Sequence, residues 1–253
     1  MRVFITGASS GIGAALARHY AATGVTLGLA ARRRDRLLQL AAEIPGSHVC
    51  YALDVGDATA LQTAAADFIA HHGCPDIVIA NAGVSVGTLG DDASDLAVLD
   101  RVFRTNVTGM AQTLQPFIAA MKARGSGRLV GIASVAGIRG LPGAGAYSAS
   151  KAAAIAWLEA LRVELRGSGI KVVTIAPGYI ATPMTAVNTY PMPFLLPADQ
   201  AARRFAVAIE RGTSYTVIPW QMGVVAKLLR LLPNPLFDAV FARAGRKPRG
   251  LDL

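Results

Sequence analysis

Residues 2–13 read Arg-Val-Phe-Ile-Thr-Gly-Ala-Ser-Ser-Gly-Ile-Gly, and this stretch decides the fold. The short apolar run at its start predicts a strand, and the pattern that follows to about Ala22 predicts a helix. Between them, Gly7, Gly11 and Gly13 let the backbone turn tightly and approach a diphosphate closely. The helix N-terminus offers unpaired N–H groups and a partial positive charge to that anion. Strand, glycine-rich turn and helix therefore predict a dinucleotide-binding turn, with a merely flexible turn as the alternative.

The composition is that of a folded, compact protein. Of 253 residues, 53% are hydrophobic and 16% are charged, which provides a sizeable core and excludes a disordered chain. The sequence starts at once with strand-like residues and has no apolar run of about 18 residues, so neither a secretory signal nor a membrane span is expected. Cys50 and Cys74 lack the spacing of metal ligands and are interpreted as buried thiols. We expect a cytoplasmic protein without a metal site.

The net charge of +9 raises nucleic-acid binding as one interpretation. The basic residues are scattered, however, and aromatic residues are not interleaved with them, as single-strand binding would require. Runs of basic residues occur only at 32–34 and in the tail at 246–249. We therefore predict no nucleic-acid partner.

Six further strand-like segments follow residues 2–6, with helical patterns between most of them. Such alternation predicts an α/β fold, with a Rossmann-type, doubly wound, mainly parallel seven-stranded sheet and helices on both faces. No linker or repeat interrupts residues 1–253, so a single domain is expected, with 220–253 as a short C-terminal helical extension. The further strands are expected at 25–31, 48–53, 76–80, 128–133, 170–176 and 215–218.

The end of the second strand bears on the choice of cofactor. In dinucleotide-binding folds, an acidic residue there binds the 2′-hydroxyl of NAD, whereas arginine accommodates the 2′-phosphate of NADP. Here Arg32 and Arg33 follow Ala31, and no carboxylate stands at that place. We predict NADP(H), with Arg32 as the main phosphate partner and Ser9 and Arg33 assisting. NAD(H) remains the alternative, since arginines can also cap a solvated helix start, as we expect of Arg34.

Other polar residues fall at the ends of later strands, where such sheets bind ligands. Asp54 can accept a hydrogen bond from an adenine amine, although Asp57 is better placed to cap the next helix. Asn81-Ala82-Gly83 follows the fourth strand, and its glycine permits close approach of a cofactor. Asn106 interrupts a long helical pattern, and a buried amide in a helix is costly unless it is hydrogen-bonded.

Tyr147 and Lys151 are four residues apart in a predicted helix, so their side chains share one face. A nearby ammonium lowers the pKa of a phenol, which prepares it to exchange a proton at a carbonyl or alcohol oxygen. Alone, this pair is common on solvated helices. The glycine-rich loop between Ser134 and Tyr147 can bring a serine hydroxyl to it.

In combination these motifs resemble the short-chain dehydrogenase/reductase family, in its branch of single-domain enzymes of roughly this length. The resemblance covers residues 2 to about 219, and Ser10 stands where NADP-using members often have a basic residue. It implies an NAD(P)-dependent oxidoreductase acting on CH–OH groups. It also implies cofactor contacts from Gly7, Ser9, Ser10, Gly11, Ile12, Gly13, Arg32, Arg33, Asp54, Val55, Asn81, Ala82, Gly83, Tyr147, Lys151, Pro177, Gly178, Ile180 and Thr182.

The resemblance also implies catalytic roles. Tyr147 would be the general acid in reduction and the general base in oxidation, with Ser134 orienting the substrate oxygen. Lys151 would hold the nicotinamide ribose and lower the Tyr147 pKa. Asn106 would hold a water that links Lys151 to solvent. Thr182 and the backbone near Ile180 would bind the carboxamide.

We expect a hydrophobic small-molecule carbonyl or secondary alcohol as substrate. The expected pocket walls are apolar, namely Val135, Ala136, Leu141, Ala144, Ile180, Met184 and residues 192–196 of the loop 184–196. A non-catalytic NADP(H)-binding redox sensor or scaffold is the competing class, although it would not require the whole catalytic set. A sugar-nucleotide epimerase or dehydratase is disfavoured by the chain length and the glycine spacing.

The C-terminal extension and the association state stay open. Two apolar helices, expected at 222–232 and 235–243, would pack beside the substrate loop or a neighbouring subunit. Peripheral membrane contact is the less favoured alternative. By resemblance, a homodimer or homotetramer would form through the helices at 94–121 and 147–166.

Overall fold

The computed structural model describes residues 1–242 and 244–250, which form strands and helices in alternation. The strands are β1 (Arg2–Thr6), β2 (Thr26–Ala31), β3 (His48–Ala52), β4 (Ile77–Ala80), β5 (Gly127–Ile132), β6 (Ile170–Pro177), β7 (Ile180–Ala181), β8 (Leu196–Pro197) and β9 (Tyr215–Ile218). The helices are α1 (Gly11–Ala21), α2 (Arg34–Glu43), α3 (Ala58–His72), α4 (Asp95–Phe103), α5 (Gly109–Arg124), α6 (Gly145–Glu164), α7 (Pro183–Ala186), α8 (Ala198–Arg211), α9 (Trp220–Leu231) and α10 (Asn234–Phe241).

Seven of the strands form one parallel sheet in the order β3-β2-β1-β4-β5-β6-β9, which confirms the predicted fold class. The order reverses between β1 and β4, so a crevice opens at their carboxyl ends. The short strands β7 and β8 pair separately, with Ile180 opposite Leu196. The loops that begin after β1, β2, β4, β5 and β6 therefore converge on one edge of the sheet.

Both faces of the sheet are buried, as a parallel sheet requires. Alternate residues of β1 enter different clusters: Ile5 packs with Leu16 of α1, whereas Phe4 packs with Phe68 and Phe117 on the other face. The ring centroids of Phe4 and Phe117 are 5.0 Å apart. These packed faces fix β1 between two layers of helices and thereby position the glycine-rich turn that follows it.

The long helix predicted at 94–121 is present, but it is not uniform. Between α4 and α5, residues Arg104–Thr108 form a π-helical turn that contains the buried Asn106. A π-turn inserts one extra residue per turn and often marks a functional site. The sequence pattern did not predict this feature.

The predicted C-terminal helical extension is present as α9 and α10. Arg139 anchors it: the guanidinium donates to the Leu229 and Leu232 carbonyls and lies 3.9 Å from the centre of the Phe237 ring. The end of the second expected helix, Arg243, lies outside the described residues.

Several large apolar side chains of the extension are exposed, namely Trp220, Val224, Leu228, Leu231, Leu236 and Val240. Among the described residues, no helix has the length and apolarity needed to cross a bilayer.

Candidate active site

A cleft of about 480 Å³ lies at the carboxyl ends of the central strands. It is lined by nearly all the residues that the sequence nominated, including Ser134, Tyr147 and Lys151. Of the nominated catalytic and cofactor-binding residues, only Gly13 and Asn106 do not line it. The sheet therefore brings together in one place segments that lie far apart in the chain, such as those that contain Gly7 and Thr182.

The side chain of Asn81 holds the glycine-rich turn in place. Its amide Nδ2 donates to the Thr6 carbonyl at 3.1 Å and to the Gly7 carbonyl at 3.3 Å. Gly7 has φ +67°, a conformation that glycine adopts without strain. A Cβ on Gly13 would lie 2.2 Å from the Gly7 carbonyl oxygen, so this glycine permits close packing rather than lining the cleft.

The N-terminus of α1 faces the cleft with its first N–H groups available. Ser10 is the N-cap residue but makes no side-chain hydrogen bond to the helix, and the first turn contains no acidic residue. Backbone N–H groups in this position bind phosphate oxygens. The arrangement suits the diphosphate of a dinucleotide.

The basic end of the cleft is formed by Arg32 and Arg33, both exposed, whereas Arg34 begins α2 and does not line the cleft. Arg33 Nη2 donates to Ser10 Oγ at 3.1 Å. Arg33, which follows β2, thus places a positive charge beside Ser10, whose own side chain is neutral.

Asp54 is exposed and lines the same end of the cleft. Its Oδ1 accepts from the Gly56 N–H at 2.8 Å, which fixes the turn after β3. Asp57 caps α3 by accepting from the Ala60 N–H at 3.0 Å, as the sequence predicted. Asp54 is therefore not needed as the helix cap.

Ser134, Tyr147 and Lys151 meet at the other end of the cleft. Ser134 follows β5 and accepts from the Ala136 N–H at 3.1 Å, and its hydroxyl lies close enough to the Tyr147 side chain to lower the pKa of that phenol. Lys151 is 4% exposed, and its Nζ lies 5.8 Å from the centre of the Tyr147 ring. Lys151 Nζ donates to the Ile132 carbonyl at 2.9 Å, so its charge is directed towards the end of β5.

The predicted lowering of the Tyr147 pKa by Lys151 is not found in the chain by itself. Burial raises the pKa of Tyr147 above its ordinary value, and the hydrogen bond to Ser134 lowers it only in part. Burial also lowers the pKa of Lys151 to about 8. Because desolvation penalises the charged form of both groups, it outweighs their mutual attraction at this separation.

Asn106 does not line the cleft, but its side chain hydrogen-bonds to two segments that contribute to it. Its Oδ1 accepts from the Val84 N–H at 2.8 Å, and its Nδ2 donates to the Val84 carbonyl at 2.9 Å and to Ser150 Oγ at 3.0 Å. Ser150 in turn donates to the Tyr147 carbonyl at 2.8 Å. The π-helical turn therefore joins the loop after β4 to the helix that carries Tyr147, and the predicted water relay at Asn106 stays a prediction.

Comparison with known proteins identifies the family. The sequence pattern of the family described as short chain dehydrogenase matches residues 1–191. The chain belongs to this family. It is accordingly an NAD(P)-dependent oxidoreductase, and the resemblance noted from its motifs is confirmed.

Full-length relatives agree with this membership. An uncharacterized oxidoreductase of Myxococcus xanthus (strain DK1622) is 42% identical over 244 residues, covering 94% of this chain and 95% of the relative. The structure of a 3-ketoacyl-ACP reductase from Sinorhizobium meliloti 1021 is 30% identical with a TM-score of 0.78, covering 89% of this chain and 100% of that chain. A 3-ketoacyl-(acyl-carrier-protein) reductase from Brucella melitensis, complexed with NADH, shares the fold at 24% identity and a TM-score of 0.79, covering 86% and 96% respectively.

Sequence reasoning missed several residues of this short-chain dehydrogenase cleft. Most of them adjoin nominated residues at strand ends, and that adjacency is the signal that could have found them. Ser150 was also missed, although a serine next to Lys151 on an apolar helix is a candidate for an internal hydrogen bond. The missed lining residues are Ala31, Leu53, Val84, Thr105, Ile132, Ala133, Pro183, Met184 as a cofactor-cleft residue, and Thr185.

The expected substrate walls are only partly found in the cleft. Ile180 and Met184 line it, whereas Val135, Ala136, Leu141, Ala144 and residues 192–196 do not. Thr185 Oγ1 donates to the Ile180 carbonyl at 2.6 Å and accepts from the Thr182 N–H at 3.0 Å. This small network fixes the start of the substrate loop, residues 184–196, against β7.

The buried Lys151 predicts a specific pH dependence of stability. Its pKa is about 8 in the folded chain and about 10.5 when unfolded, so the unfolded state binds more protons between these values. Stability therefore rises with pH across this window, by about 3 kcal/mol for the full shift. We expect Lys151→Met to remove this rise in urea-unfolding free energies measured from pH 7 to pH 10.5.

The exposed Lys122 on α5 supplies a matched control. Lys122→Met makes the same chemical change without touching the site, and the rise with pH should persist in it. An equal rise in wild type and in Lys151→Met would contradict the assignment to Lys151.

Proposed function

We propose that this chain is an NADP(H)-dependent oxidoreductase that interconverts a carbonyl and a secondary alcohol on a hydrophobic small molecule, with Tyr147 as general acid and base. One observation carries the proposal: Tyr147, Ser134 and Lys151 line one cleft of about 480 Å³, with Lys151 one helical turn from Tyr147 and Ser134 close enough to lower the pKa of Tyr147. A non-catalytic sensor has no use for this arrangement.

The residues of the cleft fit a dinucleotide along its length. The N-terminus of α1 would bind the diphosphate, and Asp54 and Val55 would border the adenine. Ile180, Thr182 and Gly178 would contact the nicotinamide, with Lys151 at its ribose. The nicotinamide, when bound, supplies or accepts the hydride.

The chain's own groups handle the proton. A partly buried phenol with a raised pKa stays protonated at neutral pH, so Tyr147 is ready to donate to a substrate carbonyl oxygen. Ser134 would donate a second hydrogen bond to the same oxygen and hold it in place.

The preference for NADP(H) over NAD(H) rests on the basic end of the cleft. Arg32 and Arg33 are the two guanidinium groups that line it, and Arg33 reaches across to Ser10. A 2′-phosphate would meet two cations there. Guanidinium–phosphate hydrogen bonds are among the stronger polar contacts in proteins.

The substrate is proposed to be apolar around its carbonyl. Ile180 and Met184 line the same cleft as Tyr147 and offer no charged side chain. The test is to follow NADPH oxidation at 340 nm over a panel of hydrophobic ketones and aldehydes, with NADH in parallel. Turnover of at least one carbonyl with NADPH supports the proposal, whereas tight NADPH binding without turnover of any would favour the sensor.

We also propose a single-domain cytoplasmic enzyme that forms a homodimer or homotetramer. Large apolar side chains are exposed on the two helices expected at the interface, with Leu96 68% exposed on α4 and Val163 59% exposed on α6. Burying such a patch against a second copy would stabilise an assembly. Sedimentation velocity distinguishes a dimer or tetramer from a monomer.

A further inference from the structure

The last residues described, 244–250, pack against the loop after β4, the loop before α6 and the substrate loop, and we call them the C-terminal strap. A Cβ on Gly245 would come within 2.6 Å of Tyr190 Cβ, so the strap lies directly against the substrate loop. Burial, Tyr179 and Tyr147 together raise the pKa of Tyr190 to about 12, which shows that Tyr190 is within electrostatic reach of Tyr147. The strap thus packs against the substrate loop at Tyr190.

Lys247 is the most buried residue of the strap, at 8% exposed. Its Nζ donates to the Met184 carbonyl at 3.1 Å and to Asn188 Oδ1 at 3.2 Å. Both acceptors are neutral, and burial lowers the pKa of Lys247. A buried ammonium is costly without hydrogen bonds, so these two bonds tie the strap to the substrate loop.

The rest of the strap is attached to the loop that follows β4. The Pro248 carbonyl accepts from the Gly87 N–H at 2.8 Å. Arg249 pairs with Asp92, and its Nε lies 3.0 Å from Asp95 Oδ2. These contacts hold the far end of the strap independently of the substrate loop.

The strap also contacts a third loop, the one between β5 and α6. The aliphatic part of Arg246 lies against Gly143, where a Cβ would come within 2.8 Å of Arg246 Cβ. Thr88 Oγ1 accepts from the Ala146 N–H at 3.2 Å, beside Tyr147 at the start of α6. The strap therefore joins three loops, of which one leads into Tyr147 and one begins with the cleft residue Met184.

We propose that the C-terminal strap is the outer wall of the substrate site, and that Lys247 is a positioning residue that holds the substrate loop over Tyr147. This rests on the proposed function, because the wall encloses the site where the carbonyl would bind. Met184, whose carbonyl Lys247 binds, also lines the cleft with Tyr147. Substrate selection in this chain then depends partly on residues beyond the family match at 1–191.

The test compares Lys247→Met with Lys227→Met, the same change at an exposed lysine of α9. Hydrogen exchange is measured on peptides from the substrate loop and, as a reference, from α8. Lys247→Met leaves two acceptors unpaired and frees the loop, so exchange there should rise about tenfold while α8 is unchanged. This measurement needs no substrate, so it stays informative if no carbonyl is turned over.

For a carbonyl that wild type reduces, Lys247→Met should raise KM about tenfold and leave kcat and NADPH affinity near wild type. Gly87→Ala is a second variant, which disturbs the strap from the loop after β4 and not from the substrate loop. Its Cβ would lie 2.1 Å from the Lys247 carbonyl oxygen, so it displaces the strap without changing any charge. We expect the same rise in KM and in loop exchange.

Unchanged loop exchange in both Lys247→Met and Gly87→Ala would overturn the proposal. So would a loss of kcat with no change in KM, because that pattern indicates general damage to the site. Faster loop exchange with an unchanged KM would show that the strap holds the loop but does not form a wall of the substrate site, which also contradicts the proposal as stated.

Discussion

Replacing Tyr147 with phenylalanine should lower kcat by about 10²- to 10⁴-fold, the range expected when a general acid is removed. The phenyl ring keeps the packing of α6 against its surroundings but has no proton to give. The Ser134 hydroxyl remains, so the substrate oxygen would still be oriented without being protonated. Cofactor binding should survive, because the α1 N-terminus and the basic end of the cleft are untouched.

Tyr215→Phe is the matched control for this change. Tyr215 is 43% exposed at the start of β9 and does not line the cleft. Its turnover should equal that of wild type. Substantial residual activity in Tyr147→Phe, with NADPH binding confirmed by fluorescence titration, would remove Tyr147 from the proton-transfer role.

Replacing Arg32 with aspartate should change the ratio of kcat/KM for NADPH to that for NADH by about 100-fold or more, in favour of NADH. Losing a hydrogen bond to a charged group costs about 1.5–3 kcal/mol, and the new carboxylate also repels the phosphate. The same carboxylate can accept from the 2′-hydroxyl of NADH. The effect should be carried mainly by KM, because Arg32 is far from the reacting atoms.

Arg34→Asp makes the same change two residues later in the chain. Arg34 is exposed at the first position of α2 and does not line the cleft, so the cofactor ratio should stay near that of wild type. An Arg32→Asp variant with unaltered selectivity would contradict the NADP(H) assignment. A similar shift in both variants would point to long-range charge rather than to a phosphate contact.

Much of the fold and of the site was predictable because both depend on local sequence. Apolar runs alternate with helical patterns, and parallel strands place their following loops at one edge of the sheet. Glycine spacing indicated the turn at 7–13, and the four-residue interval indicated that Tyr147 and Lys151 share a helix face. All of these are short-range rules.

Features that depend on tertiary packing were not predictable. The π-helical turn at 104–108 arises from contacts of Asn106 with Val84 and Ser150, 22 and 44 residues away. The raised pKa of Tyr147 follows from burial, which no spacing rule reports. Local motifs identify the side chains at a site, whereas burial among other residues sets the pKa values of those side chains.

The contacts of the C-terminal strap were even harder to predict from the sequence. Lys247 contacts Met184 across 63 residues, and Arg249 contacts Asp92 across 157 residues. In the sequence, this segment is only a short basic run, for which a solvated tail is the ordinary interpretation. The wall that we propose could be inferred only from the contacts that the strap makes with three separate loops.

The most direct test of the central claim is the fate of the hydride. Purified wild-type protein is incubated with NADPH carrying deuterium in both positions at C4, together with a hydrophobic carbonyl from the panel. Mass spectrometry of the recovered alcohol should show one deuterium per molecule on the former carbonyl carbon, and the Tyr147→Phe protein should form almost none. An alcohol without deuterium, or no alcohol from any carbonyl despite bound NADPH, would contradict the account.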